Sequence, residues 1–262
     1  MNLGLKDKRA VVLAASGGLG FACAEALAQE GATVALCSRE AERAEKAAQK
    51  ISQSTGQSAF GFAADVSQDA SLKSFFDAAT TKLGGLDILI CNAGGPPPGG
   101  FSALDESKWD FAYQLTLQSV VRSVRYALPQ LRQSSGGSIL VIGSSSMKQP
   151  IPNLLLSNVF RPAIQGLCKS LSAELAEDKI RVNCLAPGRV ETERINQLDQ
   201  ASAEKQGLSI EEIKKRSLAS IPMGRLGQPE EFGKVAAFLC SDGASYMTGS
   251  TLYVDGGSVR AL

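Results

Sequence analysis

Short apolar runs of strand length alternate with longer amphipathic stretches along the whole of this chain. The apolar runs fall at about 9–15, 32–37, 57–63, 86–91, 137–143, 179–186 and 251–254. The amphipathic stretches fall at about 18–30, 40–54, 68–83, 105–132, 158–177 and 229–240. Such a rhythm builds β-α-β units, whose strands lie parallel in one sheet buried on both faces by helices. The crossovers are right-handed. The pattern therefore predicts an α/β fold: one doubly wound domain over 1–262 around a seven-stranded parallel sheet. No repeat, low-complexity tail or linker divides it. With 262 residues, 44% of them hydrophobic, the chain can fill one full core.

Two segments break the rhythm. Gly94-Gly95-Pro96-Pro97-Pro98-Gly99-Gly100 follows the fourth strand, its prolines forming a stiff extended piece between flexible glycines. Ile195 to Ser220 is polar and helix-prone, and 193–220 reads as a lid inserted into the domain. In a doubly wound sheet both segments lie beyond the C-terminal ends of the strands, where ligands bind.

Composition narrows the partners. A net charge of +1 argues against nucleic acid or a membrane surface. No apolar stretch approaches the roughly 20 residues that span a bilayer, and Met1 to Lys8 does not read as a targeting segment, so a cytoplasmic protein is expected. Six scattered cysteines without a C-x-x-C pair read as buried hydrophobes in a reducing compartment. With no histidine in the chain, no metal site is expected.

Ala14-Ala15-Ser16-Gly17-Gly18-Leu19-Gly20 joins the first strand to the first helix. Glycines there permit a tight turn and close backbone approach to a pyrophosphate, which the free N–H groups and dipole of the helix start then hold. With this turn the chain resembles the short-chain dehydrogenase/reductase family, over nearly its full length. The family turn reads T-G-x-x-x-G-x-G. Gly18 and Gly20 match it, whereas Leu13 and Ala14 replace its Thr and first Gly. The Ala14 methyl is expected to weaken or displace binding slightly. The resemblance implies a Rossmann-type dinucleotide site with further parts. Asp65-Val66 corresponds to the adenine-contacting pair, Asn92-Ala93-Gly94 to the N-A-G motif, and Pro187-Gly188 with Val190 and Thr192 to the loop that meets the nicotinamide carboxamide. Asp255-Gly256-Gly257 ends the last strand as in family members.

The tip of the second strand reads Cys37-Ser38-Arg39. An acidic residue there would bind a ribose 2′-hydroxyl and favour NAD. A guanidinium instead suits a 2′-phosphate, so Ser38 and Arg39 predict NADP(H) over NAD(H). The plain alternative is an Arg39 that pairs with Glu40 or Glu42.

The family reduces carbonyls with a hydride from the cofactor and a proton from a tyrosine. A lysine four residues later lowers the tyrosine pKa and holds the nicotinamide ribose, a serine steadies the substrate oxygen, and an asparagine supports a water relay. Ser144 takes the serine position here, although the run Ser144-Ser145-Ser146 permits a slip of one. The stretch Ala163 to Leu171 aligns with the segment after the family lysine, which places Arg161 at the lysine and Ser157 at the tyrosine. Trp109 fixes the register that puts Thr116 at the asparagine. Sliding the alignment does not restore the acid, because no tyrosine lies between Tyr126 and Tyr246. Arg161 is a fixed charge with a pKa above roughly 12, or else a surface-paired arginine. Ser157 or Asn158 reads equally well as a helix cap, with Pro162 in the first helical turn. Lys148 is a lesser candidate for a substitute acid.

The segment Ile221 to Glu231 resembles 3-oxoacyl-carrier-protein reductases and their relatives. Arg189, Arg194, Lys214, Lys215 and Arg216 border the lid and could attract an anionic carrier or acyl thioester, or simply form a solvated face. Two readings stand: an oxidoreductase acting on a small-molecule carbonyl or alcohol with an altered proton path, and a cofactor-binding pseudoenzyme serving as sensor, scaffold or partner subunit. A homotetramer or homodimer is expected by resemblance, with Phe232, Val235, Phe238, Leu252 and Val254 available to its interface.

Overall fold

The structure is a computed structural model and describes residues 2–261. Seven strands form one sheet: β1 (Arg9–Val12), β2 (Thr33–Ser38), β3 (Ala59–Ala63), β4 (Ile88–Cys91), β5 (Ser138–Ile142), β6 (Arg181–Pro187) and β7 (Thr251–Val254). The helices are α1 (Gly18–Gln29), α2 (Ala41–Thr55), α3 (Asp69–Leu83), α4 (Glu106–Ala112), α5 (Ser119–Leu131), α6 (Leu155–Glu174), α7 (Glu193–Gln206), α8 (Ile210–Ala219) and α9 (Pro229–Cys240). The strand order is β3-β2-β1-β4-β5-β6-β7, and every pairing is parallel. The chain winds outward in one direction from β1 and then in the other from β4. The crevice between these strands opens at their C-terminal ends.

Two apolar layers hold the sheet. On one face α3, α5 and α6 bury Phe75, Phe76, Val124 and Ile164. On the other, α1, α2 and α9 bury Leu27, Ile51 and Phe232. Alternate residues of each central strand point to opposite layers, which is why these strands read as continuous apolar runs. The helices α1 and α9 approach closely at Gly233, where an added Cβ would lie 2.4 Å from the Ala22 carbonyl oxygen. Phe232 is wholly buried inside this chain and is therefore not free for a subunit interface. Val235, Phe238, Leu252 and Val254 remain half-buried.

Three segments depart from the sequence reading. The helical stretch at 105–132 is interrupted by a π turn at Tyr113–Gln118, a feature that frequently marks functional positions in helices. The stretch at 195–220 resolves into α7 and α8, separated at Gly207, which takes the left-handed conformation at the α7 end. Helix α6 begins at Leu155, so Pro162 lies inside it rather than in its first turn. Apolar packing of Leu156 and Ile164 carries the helix through a proline that removes only one hydrogen bond. No helix among the described residues is long and apolar enough to cross a membrane.

Candidate functional site

The turn after β1 leaves backbone uncovered at the crevice. Helix α1 starts at Gly18 with Gly17 as N-cap and no side-chain cap, so its first N–H groups point outward without a protein acceptor. Gly20 must be glycine: a Cβ there would lie 2.7 Å from the Asn92 amide nitrogen and 2.8 Å from the Ala14 carbonyl oxygen. Asn92, just past β4, donates to that same Ala14 oxygen at 3.0 Å, and the Ala14 N–H reaches Cys37 Sγ at 3.4 Å. The turn is thus pinned to both neighbouring strands.

Pinning holds Ala14 at a φ of 46°. An L-residue in the left-handed region costs about 1–2 kcal/mol, so the methyl acts through backbone strain. Replacement by glycine relieves that strain while adding about 0.5–1 kcal/mol of unfolded-chain entropy. Ala14→Gly is therefore expected to stabilise the protein by about 0.5–1 kcal/mol, a rise of about 1–4 °C in Tm by calorimetry. An unchanged or lower Tm would show that the turn carries no strain.

The remaining parts converge on the same crevice. Ser16 Oγ donates to Ser38 Oγ at 3.1 Å, which links the glycine turn to the end of β2. Arg39 is exposed beside it. Glu40 pairs with Arg43 and Glu42 with Lys46, so neither takes Arg39, which forms no ion pair among the described residues. Asp65 accepts from both the N–H and the hydroxyl of Ser67, at 2.9 and 2.7 Å. It thereby shapes its own loop, while Gln68 is the N-cap of α3; Val66 packs into the core. Beyond Asn92 and Ala93, a Cβ on Gly94 would point into open space. From β6, Pro187 leads into Gly188, whose N–H donates to Val254. Val190 is buried and bridges to Gly227. Thr192 caps α7, with its methyl 3.7 Å from an ideal Cβ on Gly18. The loop after β6 and the glycine turn therefore face each other.

Ser144 lies just past β5, where it caps the short turn Ser145–Met147. Its Oγ accepts from the Ser146 N–H at 3.1 Å and from the Ser146 hydroxyl at 3.0 Å. With the single Ser146 hydroxyl proton given to Ser144, the nearer of its two acceptors, the Ser144 proton is left to donate. The Ser146 hydroxyl also lies 3.4 Å from the Ser157 carbonyl oxygen, which ties the strand end to the first turn of α6. The sequence reading allows a slip of one to Ser145 and gives Ser146 no role; the serine run is the one signal for it.

Ser157 is buried in that first turn and is not the cap. Leu154 occupies the N-cap, without a side-chain bond. Asn158 does not cap either. Its amide accepts from the Ile151 N–H at 2.9 Å and donates to the Ile151 carbonyl at 3.0 Å, clamping the loop before α6. Lys148 is exposed on that loop.

Arg161 is not a surface arginine. It is 8% exposed, and one Nη donates to the Ile142 carbonyl at 2.7 Å. Its Nε is buried without a partner, and among the described residues no carboxylate pairs with it. Burial pulls its pKa down to about 10, opposed by Cys184 and assisted by the positive charge of Arg194. The value is below that expected from sequence, yet the group stays cationic at neutral pH. Thr116, inside the π turn, likewise has a buried Oγ1 with no partner.

None of the four tyrosines stands at position 157, and the Tyr253 hydroxyl is buried without a partner. Tyr126 donates to Asp69, Tyr113 packs against Phe160, Tyr246 is fully exposed and Tyr253 packs against the core from β7.

Residues 13–259 match the family described as enoyl-(acyl carrier protein) reductase. Dehydrogenase/reductase SDR family member 4 of Sus scrofa is 36% identical over 98% of this chain and 89% of its own. The 7alpha-hydroxysteroid dehydrogenase of Escherichia coli is 33% identical over 100% of this chain and 98% of its own. Among solved structures, L-sorbose reductase from Gluconobacter frateurii, complexed with NADPH and L-sorbose, superposes with a TM-score of 0.95 at 31% identity, covering 100% of both chains. The sheet order, the glycine turn and these matches agree: the chain belongs to the short-chain dehydrogenase/reductase family.

Proposed function

We propose that the protein is an NADP(H)-dependent reductase of small carbonyl compounds, or in reverse a dehydrogenase of the alcohols, that works without a tyrosine acid. The observation that carries this reading is Ser144: its Oγ accepts from the Ser146 N–H and hydroxyl, which leaves its own proton free to donate. A bound nicotinamide supplies hydride to the carbonyl carbon. Ser144 donates to the carbonyl oxygen as negative charge grows there, and the nearby Arg161 guanidinium keeps the local potential positive. Water then protonates the alkoxide, in place of a side-chain acid.

The chain's own groups fit the dinucleotide. The uncapped start of α1 suits a pyrophosphate. The unpartnered Arg161 Nε and Thr116 Oγ1 are polar groups of the kind that ribose hydroxyls or a water would satisfy. Arg39, which forms no ion pair among the described residues while Glu40 and Glu42 pair with Arg43 and Lys46, supports NADP(H) over NAD(H). Helices α7 and α8 act as the substrate lid. Half-buried Val235, Phe238, Leu252 and Val254 leave apolar surface for a homodimer or homotetramer, and light scattering that returns a monomer would reject it.

General acid catalysis supplies about 10²- to 10⁴-fold, so the enzyme is expected to be slow rather than inert. The deciding assay mixes purified protein and NADPH with ketones, oxo acids, quinones and 3-oxoacyl thioesters, and follows loss of NADPH absorbance. Turnover above background is expected. Tight NADPH binding without turnover on any of these would overturn the reductase and leave a cofactor-binding pseudoenzyme.

A further inference from the structure

We infer that Arg161 and Arg194 form an anion clamp that selects carbonyl substrates carrying a carboxylate; the inference rests on the reductase reading of the same site. Arg161 is bonded to the carbonyl of Ile142, two residues before Ser144. A carboxylate next to the reacting carbonyl would therefore fall beside it. Arg194, in the first turn of α7, crosses the crevice to the loop after β4. It donates to the Pro96 carbonyl at 3.1 Å and lies over Gly95, where a Cβ would come within 2.9 Å of its Nη2. Strands β4 and β5 are neighbours, with Cys91 opposite Val141, so Arg161 at the end of β5 and Arg194 over the loop that follows β4 flank the same crevice, and Arg194 is near enough to lower the Arg161 pKa.

Neither charge is neutralised. Among the described residues no carboxylate pairs with Arg161 or Arg194, and burial lowers the pKa of both. Two other arginines of this region differ. Arg189 pairs with the buried Asp199, and Arg216 pairs with Glu212. Two like charges on one crevice, Arg161 buried and Arg194 half-buried, are costly unless an anion joins them. Each guanidinium spends one N–H on a carbonyl and keeps others, so one N–H from each can meet a carboxylate oxygen. Arg194 also couples the clamp to the lid, because its backbone begins α7 while its side chain reaches the opposite wall.

The test uses calorimetric titration of the full-length protein saturated with NADP⁺, so that no turnover occurs. Each of 2-oxobutyrate and acetoacetate is compared with its methyl ester. At least one acid is expected to bind about 10- to 100-fold more tightly than its ester, the range for charge-assisted hydrogen bonds. Arg194→Met is expected to abolish that difference while leaving the affinity for NADP⁺ unchanged. Acids and esters binding alike, or neither binding, would overturn the clamp. So would a loss of NADP⁺ affinity in Arg194→Met similar to the loss of acid affinity, which would assign Arg194 to the cofactor phosphates. Failure of the wild-type protein to bind NADP⁺ or NADPH at all would defeat the underlying reductase reading instead. Arg161→Lys gives a second variant that keeps the charge but loses the fork, and it is expected to retain part of the preference for the acid.

Discussion

Ser144→Ala is expected to lower kcat by about 10²- to 10³-fold, the usual effect of removing one preorganised donor from a developing oxyanion. The Ser144 hydroxyl is held by two hydrogen bonds from Ser146, so it needs no reorientation when charge appears on the substrate. In a family member with tyrosine at position 157, a second side chain would share this work. Here Ser144 would be the main neutral donor. Arg161, bonded to Ile142 and cationic at neutral pH, would contribute positive charge. Single-turnover kinetics with saturating NADPH is the proper measurement, because it isolates chemistry from product release. The dissociation constant for NADPH should not change, since Ser144 touches none of the glycine turn. A kcat within a few-fold of wild type would remove Ser144 from the reaction. Ser146→Ala should give a smaller loss: the Ser144 proton would stay available while one of the bonds that aims it disappeared. Equal losses in the two variants would point to local collapse of the turn, which circular dichroism and Tm can check.

Much of this arrangement is legible from residue patterns. The seven strand-length runs specify the sheet because parallel strands are buried on both faces and must be apolar throughout. The turn at 14–20 is legible because only glycine fits at Gly20, where Asn92 and Ala14 close in. The features that escape the pattern depend on tertiary partners. Nothing in the residue types around 157 distinguishes a cap from a first-turn residue; the difference arises because Asn158 folds back on Ile151. Pro162 resembles a helix start, yet apolar contacts along α6 carry the helix through it. Burial of Arg161 is equally hidden, since arginine at a helical position normally lies in solvent. The strain at Ala14 is a half-exception: the alanine stands out against the family turn, but its φ of 46° belongs to the folded backbone. Phe232 reads as available to another subunit because the close approach of α1 and α9, which buries it, leaves no mark in the local pattern.

Arg39→Ala is expected to weaken NADPH binding by about 10- to 100-fold, the equivalent of about 1.5–3 kcal/mol for a hydrogen bond to a charged group. Binding of NADH should change by less than about three-fold, within the spread expected for a surface substitution away from any specific contact. The asymmetry comes from position. Arg39 stands at the tip of β2, next to the Ser38 hydroxyl that joins Ser16 of the glycine turn. The acidic residues just after it are committed to Arg43 and Lys46, so the guanidinium is not already spent on a carboxylate. A 2′-phosphate placed there would meet a positive group, whereas a bare 2′-hydroxyl would gain little from it. Arg39→Asp should go further and reverse the preference, because a carboxylate accepts from the 2′-hydroxyl and repels the phosphate. Equilibrium titration of both cofactors at two salt concentrations separates these effects. Arg39 is exposed, so its contribution to NADPH affinity should shrink as salt screens it, while the affinity for NADH should stay nearly level. Equal weakening toward both cofactors would mean that Arg39 supports the fold of the β2 tip and does not read the phosphate. If neither affinity moved, discrimination would have to come from a group other than Arg39, with the Ser38 hydroxyl at the same strand tip the next to vary.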